Sequence, residues 1–287
     1  MKKMTKKSAR LVPFLVGAAA AVVATIGRQR FRALVSSEID ELLGRAALIV
    51  GPEQMRSRWA TLPDPVRRHL RYAIRDTAPA IATAHLRHDG LFRTSPGMPW
   101  WETTGEQYFT TATPGFIWHA RVYPVPLLWI EVRDALLHER GNMLVKFLSA
   151  VPIANASGSE IDQGSALRWL AESAWFPYAL VADCLQWTPL DDRTARATLR
   201  YEGPPASAIV EVDDEGKLVR LRAERYRDLG NGNAALTAWG GDYSDYREFN
   251  GFRVPTSVNV GWDLETGWFG YARFRILSLD YNAKARA

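Results

Sequence analysis

The chain has 287 residues, which suits one large domain or two ordinary ones, because all-β domains alone can exceed about 200 residues. With 47% hydrophobic and 23% charged residues, the composition excludes a mostly disordered, collagen-like or polytopic membrane protein. The net charge of +5 arises at the N-terminus, because residues 1–32 hold eight basic residues and no acidic one, leaving 5 minus 8, or −3, for the rest. A basic nucleic-acid-binding face in the folded part is therefore disfavoured, and no nucleic-acid partner is expected.

The N-terminal segment combines a basic leader with an apolar run. Residues 11–26 (LVPFLVGAAAAVVATI) are uncharged, and as a helix they would reach roughly 24 Å against a hydrocarbon core of about 30 Å. Flanking lysine and arginine stems can snorkel, so the run can anchor the chain. A cleaved signal peptide is the alternative, but the arginines at 28, 30 and 32 oppose cleavage. We predict that residues 1–32 are a leader and cell-membrane anchor, with the remaining chain on the extracytoplasmic side.

Residues 33–80 have helical patterning and are predicted to form a stalk or brace. Apolar residues recur every three to four positions from Val35 to Ile49, and Ser37 and Asp40 have the spacing of a capping box at the helix start. Gly51-Pro52 is expected to end this helix.

A second helix is predicted to begin at Asp64-Pro65, because proline is tolerated in the first turn. One side of this helix is basic, and it is either solvated or in contact with anionic lipid headgroups. Its residues are Arg67, Arg68, Arg71 and Arg75.

Residues 81–287 are predicted to form a β-rich domain. Phe116, Trp118, Ala120 and Val122 alternate with His119 and Arg121, as in a half-buried antiparallel strand. Turn signals separate about nine to eleven such strands. Near residues 276–277 the pattern changes face, which predicts a bulge, with Leu277 and Leu279 then pointing away from Ile276. The fold class is mainly β (α+β): a large curved antiparallel sheet or open half-barrel, with one helix packed in its concavity and preceded by N-terminal helices.

The helix within this domain is predicted over residues 165–182. Leu167, Leu170, Ala174 and Tyr178 form one stripe, and Pro177 must end or kink the helix. Other aromatic residues fall off the stripe, which indicates that the helix contacts more than one layer.

Candidate site residues are an acid, two arginines and several tryptophans. Glu172 lies one turn after Arg168, and this spacing fits either a structural ion pair or an acid/base residue in a cavity. Both residues are candidates for orienting a ligand. The other candidate ligand-binding residues, each of which could equally be sheet core, are Trp118, Trp175, Arg225, Trp239 and Trp262.

The histidines do not have the spacing of a metal site. His85 and His88 lie three apart in a strand and should point to opposite faces, and the other three are scattered. No metal and no cofactor are predicted.

Several segments resemble an uncharacterised bacterial family whose members commonly carry N-terminal membrane segments. They are LPDPVRRHL (62–70), GLFR (90–93), PGFIWHA (114–120), LRWLAESAWFPYAL (167–180) and the late Trp/Gly/Tyr strands. The resemblance covers most of residues 55–281 and implies no established activity. By architecture alone, the predicted sheet and helix are also similar to the half-barrels of LolA/LolB-like lipoprotein carriers, which implies an apolar cavity for acyl chains.

Three functional hypotheses follow. The first is a membrane-anchored domain that binds an apolar or lipid-like ligand in the cell envelope, without catalysis. The second is a hydrolase-type enzyme that uses Glu172 as acid or base in the same cavity. The third is a cell-envelope interaction domain with a filled sheet interior and an exposed apolar patch.

Overall fold

The computed structural model describes residues 6–48 and 57–282, with only the helical backbone for residues 6–21. Helices run over Lys6–Gly44 (α1), Asp64–Ala73 (α2) and Ser159–Glu172 (α3), and 3-10 turns follow at Ser173–Trp175 and Pro177–Val181. The strands within the described residues are β1 (Thr83–Phe92), β2 (Trp101–Thr110), β3 (Gly115–Val125), β4 (Leu128–Leu137), β5 (Arg140–Phe147), β6 (Val151–Ser157), β7 (Leu185–Pro189), β8 (Thr194–Leu199), β9 (Ala206–Val212), β10 (Leu218–Gly230), β11 (Asn233–Phe249), β12 (Phe252–Leu264) and β13 (Gly267–Tyr281).

These thirteen strands form one antiparallel sheet in the order β6-β5-β4-β3-β2-β1-β13-β12-β11-β10-β9-β8-β7. The chain builds one half of the sheet outward to β6 and then returns from the opposite edge, β7, until β13 pairs with β1. The segment that joins these edges contains α3, and it crosses the concavity of the curled sheet. The predicted curved half-barrel with one helix packed against it is therefore confirmed.

The alternation predicted for β3 is also confirmed, because its two sets of side chains belong to different cores. Phe116, Trp118 and Ala120 lie in the large core that includes α3. Ile117 packs on the opposite, convex face against α1. β3 thus has an apolar face toward α3, whereas its convex face, which also carries His119 and Arg121, contributes Ile117 to the packing against α1.

The first helix differs from its predicted bounds. α1 is continuous from Lys6, so the capping-box start predicted at Ser37 and Asp40 is wrong, and α1 ends at Gly44. A local capping pattern was overridden because the helix packs a longer stripe on the convex face. That stripe consists of Phe31, Val35, Ile39 and Leu42. The predicted end at Gly51-Pro52 lies outside the described residues.

Among the described residues, no helix combines the length and the apolar composition needed to cross a membrane. The apolar run predicted as an anchor, residues 11–26, falls mostly on positions whose side chains are not described. The anchor and the cell-membrane location therefore stay predictions.

The direction of α1 distinguishes the two ends of the sheet. A side chain at Gly27 would meet Ala150, in the β5–β6 turn, whereas Leu42 lies against Gly115 at the start of β3. We call the end with the β3–β4, β5–β6, β10–β11 and β12–β13 turns the open end. The opposite end, which α2 and the 3-10 turns cover, is the closed end.

The closed end is densely packed by apolar side chains from α2, the 3-10 turns and the sheet. Leu70, Phe176 and Phe252 are fully buried there. Two of the four arginines predicted on the basic side make structural contacts. Arg68 of α2 donates to the carbonyl of Asp213 (2.9 Å), and Arg75, which lies two residues after α2, donates to the carboxylate of Glu248 (3.0 Å). These contacts favour the interpretation without lipid.

Two short edge strands account for much of the difference between the predicted and observed strand numbers. Every residue of β6 is exposed or half-buried, so this strand lacks an alternation of buried and exposed residues, and β7 has only five residues. The bulge near residues 276–277 is confirmed. Arg87 and His88 of β1 pair with Ser278 and Ile276 of β13, so Leu277 between them is the extra residue of the bulge. The bulge leaves Leu277 exposed but returns Leu279 to the same core as Ile276, so the face predicted for Leu279 is wrong.

α3 begins earlier and ends earlier than predicted. Its first turns are polar, and Asp162 accepts hydrogen bonds from the backbone N–H of Gly141 (2.7 Å) and from Arg140 (2.9 Å). These long-range contacts stabilise a helix start that the apolar pattern does not contain. The predicted break at Pro177 is confirmed, since the helix ends at Glu172 and two separate 3-10 turns follow.

Close packing of α3 on β5 depends on a glycine. A Cβ atom at Gly141 would lie 2.6 Å from the Ile161 carbonyl oxygen and 2.6 Å from Ser165 Oγ. We expect Gly141→Ala to lower the free energy of unfolding by about 1–3 kcal/mol, because α3 must shift. Denaturant titration checks this value against Gly44→Ala, where a Cβ meets nothing within 4 Å. Equal stability of the two variants would contradict the packing described.

Candidate ligand-binding site

α3 contacts strands from both halves of the sheet and so lies between its two curled sides. Ser165 packs at the start of β5, and the neighbouring Gly164 lies against Arg225 of β10. Gln163 accepts from the N–H of Tyr226 (3.2 Å) and donates to the Glu224 carbonyl (3.2 Å). Polar and aromatic side chains of the concave face thus meet α3 in two clusters, one on each side.

The first cluster surrounds Arg168. Its Nε donates to Glu172 (2.8 Å), one Nη to Asp134 (2.8 Å) and the other to the side-chain oxygen of Gln107 (3.0 Å). The Gln107 amide in turn donates to the second oxygen of Glu172 (2.6 Å). The guanidinium also lies 4.7 Å from the ring centre of Trp118. Every nitrogen of Arg168 and both oxygens of Glu172 are therefore engaged.

Burial sets the protonation of this cluster. It raises the pKa of the Glu172 carboxyl, and the charge of Arg168 only partly opposes this effect. Burial also disfavours the charged form of Arg168, but Glu172 and Asp134 outweigh it and raise the pKa of the guanidinium above its ordinary value. The arrangement corresponds to the structural ion pair, extended by a second carboxylate and an amide.

His88 completes the wall of the first cluster. Trp118 donates its indole N–H to His88 Nε2 (2.8 Å), and Phe274 lies 4.5 Å from the imidazole centre. Burial, together with the charge of Arg168, lowers the pKa of His88 to about 4, so the ring is neutral at physiological pH. His85 instead stacks on Tyr108, which packs against α1, so the two histidines point to opposite faces as predicted.

The second cluster surrounds Arg225. Its guanidinium lies 4.8 Å from the ring centre of Trp239 and 5.9 Å from that of Trp262. The Trp239 indole donates to the hydroxyl of Tyr271 (3.0 Å). Among the described residues, the buried Nε of Arg225 has no hydrogen-bond partner. Because a buried polar group without a partner is costly, this guanidinium is suited to an added acceptor.

The predicted site residues therefore divide into three groups. Trp118, Arg168 and Glu172 share the first cluster, whereas Arg225, Trp239 and Trp262 share the second. Trp175 lies apart, in the core beside Phe109, and donates to the carbonyl of Pro255 (3.0 Å).

Three residues of the first cluster were not predicted: Asp134, Gln107 and His88. Each is a polar residue at an inward position of a strand whose neighbours on the same face are apolar, as Asp134 is between Val132 and Leu136. That pattern marks buried polar groups and could have identified them.

Two cavities lie outside these clusters. One of about 380 Å³ lies locally between α1 and the convex face, beside Ile39 and His119. The other, of about 370 Å³, lies mainly over the outer face of β8–β11, where Arg222 and Leu236 contribute to its lining, and Gln163 of α3 also borders it. The two arginines at the centres of the clusters do not line either cavity. No group of three or more metal-ligating side chains occurs within the described part of the chain.

The fold is a curled antiparallel half-barrel with one helix packed against it. The chain belongs to a family of unknown function, DUF6544, whose model matches residues 52–274. This agrees with the predicted resemblance to an uncharacterised family. No curated protein matches the chain.

Similar solved structures include a DUF1329 family protein from Desulfovibrio piger, with 13% identity over 79% of this chain and 93% of that one and a TM-score of 0.42. A LolA superfamily protein from Nitrosomonas europaea has 8% identity, covers 76% and 94% of the two chains, and gives a TM-score of 0.40. A domain from Vibrio parahaemolyticus, described as an outer membrane lipoprotein-sorting protein, has 7% identity, covers 70% and 86%, and also gives 0.40.

Proposed function

We propose that this protein binds an amphiphile, with an apolar body and an anionic group, on the concave face between α3 and the open end. Residues 11–26 hold the protein in the cell membrane, with the β domain on the extracytoplasmic side. No catalytic step and no cofactor are part of this proposal.

The environment of Arg225 gives the proposal its main support. Arg225 is a half-buried cation whose Nε has no partner among the described residues, and it lies over two tryptophan rings. An anionic oxygen would satisfy this group through a charge-assisted hydrogen bond. Arg168 is already fully paired and instead forms part of the wall.

The surroundings of Arg225 suit an apolar body. Trp262, Tyr271 and Phe274 are half-buried on the concave side, so part of their surface is still open to a ligand. Each Å² of apolar surface removed from water contributes about 25 cal/mol, so an acyl chain lying on these rings supplies most of the binding free energy.

A matched pair of variants tests this site. Arg225→Gln should weaken binding of dansyl-undecanoic acid at least tenfold, because the anion loses the charge-assisted hydrogen bond to the Arg225 guanidinium. Arg222→Gln is the control: Arg222 belongs to the same strand but lies over Trp268 and pairs with Asp242 on the convex side. Fluorescence titration measures both affinities, and equal weakening in the two variants would refute the site.

A cell-envelope interaction domain is the second candidate. The closed end is filled by side chains such as Leu70 and Phe176, which are fully buried, and large apolar side chains are exposed elsewhere. Both features were expected of that class. A probe that fails to bind the wild-type chain would favour it.

The enzyme hypothesis has less support from the geometry. Both oxygens of Glu172 accept hydrogen bonds from Arg168 and Gln107, so its carboxyl is held by protein groups. A general acid or base needs to reach a substrate proton. The role of Glu172 as acid or base stays a prediction.

A further inference from the structure

The open end carries a set of exposed apolar side chains around two neighbouring turns. Leu127 is 92% exposed, and Val125 and Leu128 flank it in the same β3–β4 turn. Val151 and Ile153, at the start of β6, are more than half exposed. We call these five residues the open-end rim. Contiguous exposed apolar surface marks contact with a partner or a membrane.

The β3–β4 turn has an unusual residue at its tip. Val125 pairs with Leu128, so Pro126 and Leu127 form a two-residue hairpin loop. Leu127 adopts a left-handed conformation with φ of 69°. Glycine or asparagine normally occupies such a position, because a Cβ atom is unfavourable there. Neither backbone preference nor burial explains a leucine, whereas contact with an apolar phase does.

The neighbouring helix indicates which partner covers the rim. Gly27 of α1 packs against Ser149 and Ala150, directly before Val151. N-terminal to Gly27, the side chains of Val22 and Ile26 are exposed. The helix therefore leaves the sheet beside the rim, at residues that already belong to the apolar run of residues 11–26.

Charge complementarity adds an independent argument. Arg30 and Arg32 are exposed on α1 near this end, and the first acidic residue of the chain is Glu38. Basic residues next to an apolar surface are attracted electrostatically to anionic headgroups. The β12–β13 turn, in contrast, carries the exposed Asp263 and Glu265, so we limit the contact to the β3–β6 half.

We propose that the open-end rim inserts into the headgroup region of a bilayer that contains anionic lipid. The rim then fixes the tilt of the half-barrel, with its open end toward the membrane. The proposal rests on the membrane attachment described under the proposed function, but it is independent of the Arg225 site.

Site-specific fluorescence tests the contact. Leu127→Cys and Leu190→Cys are each made in a Cys184→Ala full-length chain, labelled with the NBD fluorophore and reconstituted into vesicles of phosphatidylethanolamine and phosphatidylglycerol. Leu190 is the control because it is also exposed (43%) but follows β7 at the closed end. Nitroxide-labelled lipids report the proximity of each label to the headgroup region.

The emission maximum of the label at position 127 should shift to the blue, and its intensity should rise severalfold. Headgroup-labelled lipid should quench this label, whereas the emission of the control label at position 190 should change little. If the chain floats with the vesicles but both labels stay equally exposed to water, the rim proposal is wrong and the attachment stands. If the chain does not float with the vesicles, the attachment and the rim are both wrong. Dansyl-undecanoic acid binding by the same sample tests the Arg225 site separately.

Discussion

Arg168→Met is expected to lower the free energy of unfolding by about 3–5 kcal/mol, the largest loss from any single substitution considered for this protein. The change removes the one cation that contacts both Asp134 and Glu172. Their side chains are only 11% and 13% exposed, so two carboxylates would be left buried without a counter-charge. Urea denaturation monitored by circular dichroism measures the loss.

A rescue variant separates lost charge pairing from lost packing. Adding Asp134→Asn and Glu172→Gln to Arg168→Met should recover most of the stability, because neutral amides are far less costly to bury than unpaired carboxylates. Arg220→Met is the control, since Arg220 also pairs with two carboxylates but is half exposed, and it should cost at most about 1 kcal/mol. Equal losses at both arginines would contradict this account.

The loss of stability that Arg168→Met causes, relative to the wild type, should become smaller as the pH falls. Burial raises the pKa of Glu172 in the folded state, so this carboxyl favours folding below its unfolded pKa, and that contribution is lost as the pH rises through the folded pKa. Without Arg168 the pKa of Glu172 in the folded state rises further, so the stability of the variant depends more strongly on pH than that of the wild type. A deficit that is constant from neutral to mildly acidic pH would show that charge is not its cause.

Glu131→Gln is expected to produce the second large effect. Glu131 is fully buried on the convex side of β4, with His119 Nε2 2.8 Å and Arg121 3.1 Å from one oxygen and Ser149 on the other. Burial raises the pKa of this carboxyl, but the bonds from His119 and Ser149 and the charge of Arg121 outweigh it and lower the pKa to about 2.

The depressed pKa fixes the sign of the pH dependence. Stability from Glu131 is present above its unfolded pKa of 4.5 and is lost as the pH falls toward the folded value of about 2. The lowered pKa of Glu131 contributes about 3 kcal/mol to the free energy of unfolding at neutral pH. Glu131→Gln should remove this contribution, and with it the loss of stability that the wild type shows in acid. Glu211→Gln, at a partly exposed partner of Arg220, should cost at most about 1 kcal/mol. Wild-type and Glu131→Gln curves that fall in parallel between pH 4.5 and 2 would contradict the assignment.

Much of the fold follows from local pattern. The alternation in β3 and the break at Pro177 were predictable because strand periodicity and the missing N–H of proline are properties of neighbouring residues. The edge strand β6 was not, because with little of it buried it has no alternation to detect. The start of α3 depends on contacts of Asp162 with β5, about 20 residues away in sequence, and local pattern does not encode such contacts.

The candidate site shows the same division. The Arg168–Glu172 pair was predictable because the residues lie four apart on one helix. The pairing with Asp134 and Gln107 depends on how α3 crosses the sheet, which sequence spacing alone does not determine. Trp175 was assigned to the ligand site on residue type alone, and the structure places it in the core next to Phe109.

Native mass spectrometry of the full-length chain, extracted from its own membranes in mild detergent, tests the central claim most directly. We expect a stoichiometric anionic amphiphile on the wild-type protein, with much lower occupancy in Arg225→Gln than in Arg222→Gln. An apo mass for the wild type that persists after incubation with anionic phospholipids and fatty acids would contradict it.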